Sequence, residues 1–310
     1  MSNIQWSASF GSSRDCPLVE GERQIQRIAP RLADVGGIPV ARAVPSKQRR
    51  LIGAWCFLDH AGPADFAPGE PGMRVGPHPH IGLQTFTWML EGEVLHRDSL
   101  GHQQVIRPGQ VNLMTAGHGI AHTEESVPGQ GRLHAAQLWI ALPEADKDTP
   151  PRFDHYPRLP AWSQDGVDFT LLVGDYLSHK APTLSFSPLL GMDLHSPRGA
   201  ELSLPLRPEF EYGLFVLEGQ LALGAANFAE NELAYLGLHR EQVTLTLAPG
   251  ARVLLVGGEP LDEDIYIWWN FVGHSRDDIA RALADWNAGA ERFGKVEGYK
   301  GEPLQAPELP

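Results

Sequence analysis

The sequence predicts an all-β protein made of two similar barrel-like units and one short helix near its end. Three observations predict it. Glycine and proline number 33 and 26 of 310 residues, enough to supply many tight turns. Short apolar runs recur between turn signals, the pattern of a β-sandwich or barrel rather than a helical bundle. The two halves also echo each other: residues 88–94 read WMLEGEV and residues 215–221 read FVLEGQL, each an apolar run, a Glu-Gly turn and a second run. A further echo pairs Pro108-Gly109 with Pro249-Gly250.

Taken in order, residues 1–37 form an arm, with poor apolar periodicity and turn formers at Gly11, Gly36 and Gly37. The first unit spans 38–160. Its apolar runs are 53–58, 83–90, 111–114 and 133–142, and Gly92, Gly101, Gly109 and Gly129 punctuate them. Residues 143–160 of this unit, rich in proline and polar residues, read as a linker. The second unit spans 161–272, with runs at 169–173, 200–206, 212–217, 243–247 and 253–256. In the last stretch, 273–310, Ser275 is an N-cap followed by Asp277 and Asp278 in the first turn. Ile279, Leu283 and Trp286 make one apolar stripe at helical spacing, and Gly289 is the stop. The tail after Gly298, rich in proline and glutamate, is expected to be loose.

Net charge is −13, from 38 acidic and 25 basic residues. That balance opposes binding to a phosphate backbone, whose affinity comes largely from Lys and Arg. The short basic cluster at 47–50 reads as a solvated turn, and no nucleic-acid partner is expected. Cys16 and Cys56 stand far apart and read as unpaired thiols in a reducing compartment. With no secretion signal and no apolar run of about 20 residues, the expectation is a cytoplasmic protein with no membrane contact, monomeric by default.

The chemistry sits in two short motifs, His78-Pro79-His80 and His122-Thr123-Glu124. On a β-strand, residues i and i+2 share a face. Two neighbouring strands would therefore aim three imidazoles and a carboxylate into one space. That donor set suits a divalent transition metal such as iron, manganese, nickel or copper, and zinc is also accepted. Buried together without a metal, these groups would leave several polar atoms unsatisfied. Pro79 has no N–H for a ladder bond, which places it at an edge or an irregular strand. Metal affinity should fall as pH drops below about 6.5, where a free imidazole protonates. Gln84, His96 and His118 are candidate supporting residues around such a centre. The remaining histidines read as structural. Phe57, Phe86, Trp88, Met114 and Trp139 are candidates for an apolar wall, while Glu125 should point away from Glu124. The second unit has residues 207–211 (RPEFE) where the first has its His-x-His, so it should carry no metal.

These residues resemble the pirin family of the cupin superfamily. The resemblance runs through Phe57-Leu-Asp-His-Ala-Gly-Pro63, His78-Pro-His80, Leu90-Glu-Gly92 and residues 96–101 (HRDSLG). It is strongest at residues 114–124 (MTAGHGIAHTE) and resumes at 255–261. It implies two stacked cupin (jelly-roll) β-barrels with a metal, iron in most members, only in the first. The matching ligands are His78, His80, His122 and Glu124. It also implies either of two activities. One is a quercetin 2,3-dioxygenase-like oxidation of a flavonol, or a related enediol-like aromatic, by dioxygen. The other is an iron-dependent, redox-sensing regulator that binds a transcription factor or a metabolic enzyme. One departure stands out. Where relatives place a glutamate after His-x-His, this chain has Gln84, and an amide cannot act as a general base.

Overall fold

The structure is a computed structural model, and it describes residues 16, 18–19 and 22–309. Residues 1–15, 17, 20 and 21 of the expected arm lie outside that set. Each unit is a pair of antiparallel sheets. In the first unit the large sheet runs Arg152–Tyr156, Val111–Thr115, Leu83–Glu91, Arg132–Ala141, Trp55–Asp65, Ile38–Val44, Arg31–Val35. Its small sheet runs Gln103–Ile106, Val94–Asp98, Ile120–Ser126, Arg74–His80. The second unit repeats the plan, seven strands over four. Its large sheet is centred on Ala251–Gly258 and Glu211–Glu218.

Alternation along the large sheets sorts residues between two environments. On strand 83–91, Thr87 and Met89 face the barrel interior, while Phe86 and Trp88 face the other way. On strand 211–218, Leu214 and Val216 fill the second barrel, while Phe215 and Leu217 face out of it. The outward sets meet: Phe86, Trp88, Phe215 and Leu217 belong to one buried cluster that also holds Trp55, Leu138 and Leu254. The two barrels are therefore stacked through their large sheets. Burying each such side chain contributes about 1.5–3 kcal/mol, so the stack is part of the folding unit.

Three segments differ from expectation. Within the arm, Gln26–Ile28 adds to the second unit's large sheet beside Leu233–Gly237, and Arg31–Val35 adds to the first unit's. The arm thus clasps both units. Within the linker, Arg152–Tyr156 pairs with Val111–Thr115 as an edge strand. The tail is not loose: Leu304 donates its N–H to the Pro77 carbonyl (2.8 Å), and Trp286 Nε1 donates to the Leu304 carbonyl (2.9 Å). Its three apolar residues, Leu304, Ala306 and Leu309, pack against the helix cluster. Their burial outweighs the polar composition around them.

The helix follows the sequence closely. It spans Arg276–Asn287; the Ser275 hydroxyl accepts from Asp278 N–H, and the Asp278 carboxylate accepts from Ser275 N–H. Ile279 and Leu283 pack on Trp268, Trp269 and Phe271, beside the mouth of the first barrel. Among the described residues, no helix is long and apolar enough to cross a membrane.

Candidate metal centre

The two motifs lie on neighbouring strands. Arg74–His80 pairs antiparallel with Ile120–Ser126, setting His122 opposite His78 and Ile120 opposite His80. Strand 74–80 is the sheet edge, where Pro79 costs no ladder bond. The register slips between His122 and Glu124, which face His78 and Val75. The extra residue on strand 74–80 bends it inward at Gly76-Pro77.

The ligand nitrogens of His78, His80 and His122 lie within 4.8 Å of one another, the one group of three or more such donors among the described residues. Their tautomers follow from their partners. His78 Nδ1 donates to the Gly76 carbonyl (2.8 Å) and His80 Nδ1 to the Asn270 carbonyl (2.9 Å), so both Nε2 atoms keep their lone pairs. His122 Nδ1 meets His96 Nδ1 at 3.3 Å, and His96 Nε2 meets Asp98 Oδ2 at 3.1 Å. Burial pushes the Asp98 carboxyl up, but the bonds from His96 and His102 outweigh it and hold the group below its usual value. Ionised Asp98 draws the His96 proton to Nε2. His96 Nδ1 then accepts from His122, whose Nε2 is also left free.

These donors fit a metal ion. Burial holds His78 down at about 4 and places His80 and His122 well below the usual imidazole value. The three rings are neutral, as ligation requires. His80 Nε2 and His122 Nε2 stand 3.1 Å apart with no hydrogen between them. Two nitrogens about 2.1 Å from one ion and at right angles would be roughly 3.0 Å apart.

Glu124 lines the same cavity but stands outside the three-histidine group. What exposure it has is to the cavity. Burial raises its carboxyl to about 7 against an opposing hydrogen bond with Thr87. Of the expected supporting residues, only His96 reaches the centre. His118 is exposed, its N–H on the Thr149 carbonyl. Gln84 is buried on the opposite face of its strand, with Nε2 donating to Thr115 Oγ1 (3.0 Å). The change from glutamate to Gln84 therefore does not touch the cavity.

The wall expectation divides in the same way. Phe57 and Trp139 line the cavity, stacked at 4.0 Å, and Trp139 meets His80 edge-on at 5.3 Å. Met114 packs beside them. Phe86 and Trp88 instead belong to the contact between barrels. Glu125 points outward to Arg74 and Arg97, as expected. Trp269, Asn270 and Leu304 close the mouth, residues that sequence reasoning missed. Asp98 was also missed, although His96-x-Asp98 carried the same alternation signal as the ligand motifs. The cavity encloses about 130 Å³. In the second barrel Phe169, Phe210, Tyr212 and Phe228 pack into the core.

A jelly-roll pair in which, among the described residues, a group of donors occurs only in the first barrel defines a bicupin with one candidate metal site. Comparison with known proteins narrows the class. The Pirin family matches residues 37–140 and the Pirin C-terminal cupin domain matches 191–294; the chain belongs to the pirin family. A Pseudomonas aeruginosa protein provisionally named a quercetin 2,3-dioxygenase is 59% identical, covering 100% of this chain and 98% of its own. A pirin-like protein of Caulobacter vibrioides is 36% identical, over 90% of this chain and 97% of its own. The crystal structure of quercetin 2,3-dioxygenase from Acinetobacter baumannii superimposes with a TM-score of 0.90 at 48% identity, covering 92% of this chain and 96% of that one.

Proposed function

We propose that the chain is a metal-dependent dioxygenase acting on a flavonol or a related enediol-like aromatic. Its ligands are His78, His80, His122 and Glu124, and its metal is iron, although manganese, nickel, copper and zinc suit the same donors. The observation that carries this reading is the convergence of three neutral imidazoles at one end of an aromatic-walled cavity. The names of the Pseudomonas and Acinetobacter relatives support it.

A bound ion of this kind supplies Lewis acidity to a chelating hydroxyl and a route for electrons to dioxygen. The chain's own residues do the rest. Gly76, Asn270 and His96 fix the three rings with Nε2 inward. Thr87 stands within hydrogen-bond reach of the Glu124 carboxyl. Phe57 and Trp139 supply an apolar aromatic wall, and Trp269 and Leu304 keep water from the mouth.

The test is dioxygen uptake by iron-loaded protein with a panel of flavonols. Consumption abolished in His80→Ala is the expected result. Protein that holds iron yet consumes no dioxygen with any flavonol ends this reading. It would leave the other: a redox-sensing partner of a transcription factor or metabolic enzyme.

A further inference from the structure

Four polar residues stand side by side across the inner face of the first barrel's large sheet. The register sets Arg42 opposite Asp59, Asp59 opposite Gln137 and Gln137 opposite Thr87. All four line the cavity. The Thr87 hydroxyl donates to Gln137 Oε1 (2.7 Å). Arg42 Nε and Nη2 donate to the two Asp59 oxygens at 2.7 and 2.6 Å, and the guanidinium lies over the Phe57 ring at 4.1 Å. The third nitrogen, Arg42 Nη1, is buried with no hydrogen-bond partner, on a residue only 3% exposed.

An orphaned donor of that kind costs stability, and it belongs to a residue that lines the cavity. We infer that Arg42 Nη1 is the second anchor of the substrate: it takes a phenolic hydroxyl or ring carbonyl at the end of an aromatic ligand remote from the metal. The aromatic wall runs unbroken between the two anchors. His80 meets Trp139, Trp139 stacks on Phe57, and Phe57 carries the Arg42 guanidinium. A planar ligand lying along this wall has one end at the histidines and the other at Nη1.

Asp59 is paired with Arg42, and Arg31, opposite Arg42 in the register, adds a second cation beside the pair. A hydroxyl there accepts from Nη1 and can donate its own hydrogen bond to an Asp59 or Gln137 oxygen.

The inference rests on reading this cavity as the place where an aromatic substrate meets the metal. It is tested without turnover, on zinc-loaded protein, by quenching of tryptophan fluorescence. The probes are 3-hydroxyflavone and its derivatives with one further hydroxyl on the fused or the pendant ring. At least one hydroxylated derivative should bind roughly ten- to a hundredfold more tightly than the parent, as expected for a hydrogen bond to a charged donor. The hydroxyl's advantage should vanish in Arg42→Lys, which keeps a charge for Asp59 but loses the fork. Equal binding of parent and derivatives, or binding of none, overturns the inference. The ligand series on wild-type protein decides this even where Arg42→Lys fails to fold. The dioxygenase reading is judged separately, by dioxygen uptake with 3-hydroxyflavone on iron-loaded protein.

Discussion

His96 and His122 face each other nitrogen to nitrogen, Nδ1 to Nδ1 at 3.3 Å, with Asp98 behind His96. This contact orients a candidate ligand that has no backbone carbonyl to hold it, unlike His78 and His80. His96→Phe keeps the ring that stacks on Phe153 at 4.3 Å and removes both nitrogens. Loss of such an outer partner typically weakens metal binding about 10- to 100-fold. Competition with a chromophoric chelator measures it. An unchanged affinity would mean that His122 needs no such support.

Glu124 gives a proton count. Its carboxyl is raised to about 7, so below that pH the metal-free fold carries a proton there. His78, at about 4, carries none at pH 6, and neither do His80 and His122. If Glu124 ligates, metal binding at pH 6 should release about one proton. Calorimetry in buffers of different ionisation heat reads that number, and Glu124→Gln should bring it near zero. No release from the unmodified protein rules out carboxylate ligation. The acid limit of binding also moves. Burial carries the histidines' protonation below the 6.5 of a free ring, so the steep loss of affinity should come toward pH 4. The metal-free fold feels opposite signs. The raised Glu124 costs stability as pH rises from 4.5 to about 7, and the depressed His78 costs it as pH falls from 6.5 to about 4.

The donor motifs were legible because strand alternation is local: two residues apart means one face, and Pro79 marked the edge. The helix was legible for the same reason, its cap and stripe lying within twelve residues. Gln84 was misplaced because the phase of a strand does not pass through a break. Gly82, at φ +66, interrupts the chain between His80 and Gln84, so even-numbered residues face inward before it and outward after it. Arg42 against Asp59, Asn270 against His80 and Leu304 against Pro77 join residues 17, 190 and more than 200 positions apart. No local pattern encodes those pairs. Only the closed barrel brings them together.

Restoring the family's glutamate should bring no gain. Gln84→Glu puts a carboxyl into a fully buried position bonded to Thr115, on the far face from the metal. The cost is of order 1–3 kcal/mol for an unsatisfied buried polar group, and more when it ionises. Thermal melting should fall while turnover per folded molecule stays level. A rise in turnover would show that this side chain reaches the substrate after all.

Leu304 lines the cavity. That cavity, about 130 Å³, is close to the roughly 150 Å³ that holds one benzene ring, whereas a flavonol has three rings. Moving the tail aside should therefore ease the entry of a flavonol. Two hydrogen bonds, to Pro77 and from Trp286, and the partly buried Leu304, Ala306 and Leu309 hold it down. Releasing them costs about 3–6 kcal/mol, so the open form is a minor state. Removing residues 304–310 should raise the association rate of 3-hydroxyflavone about tenfold or more in stopped-flow fluorescence. Metal affinity should not change, because among the described residues no tail side chain or backbone group hydrogen-bonds the three histidines. The exposed Trp286 indole gives a second signal, a red-shifted emission that reports the lost cover. Equal association rates with and without the tail would mean that ligands enter by another path.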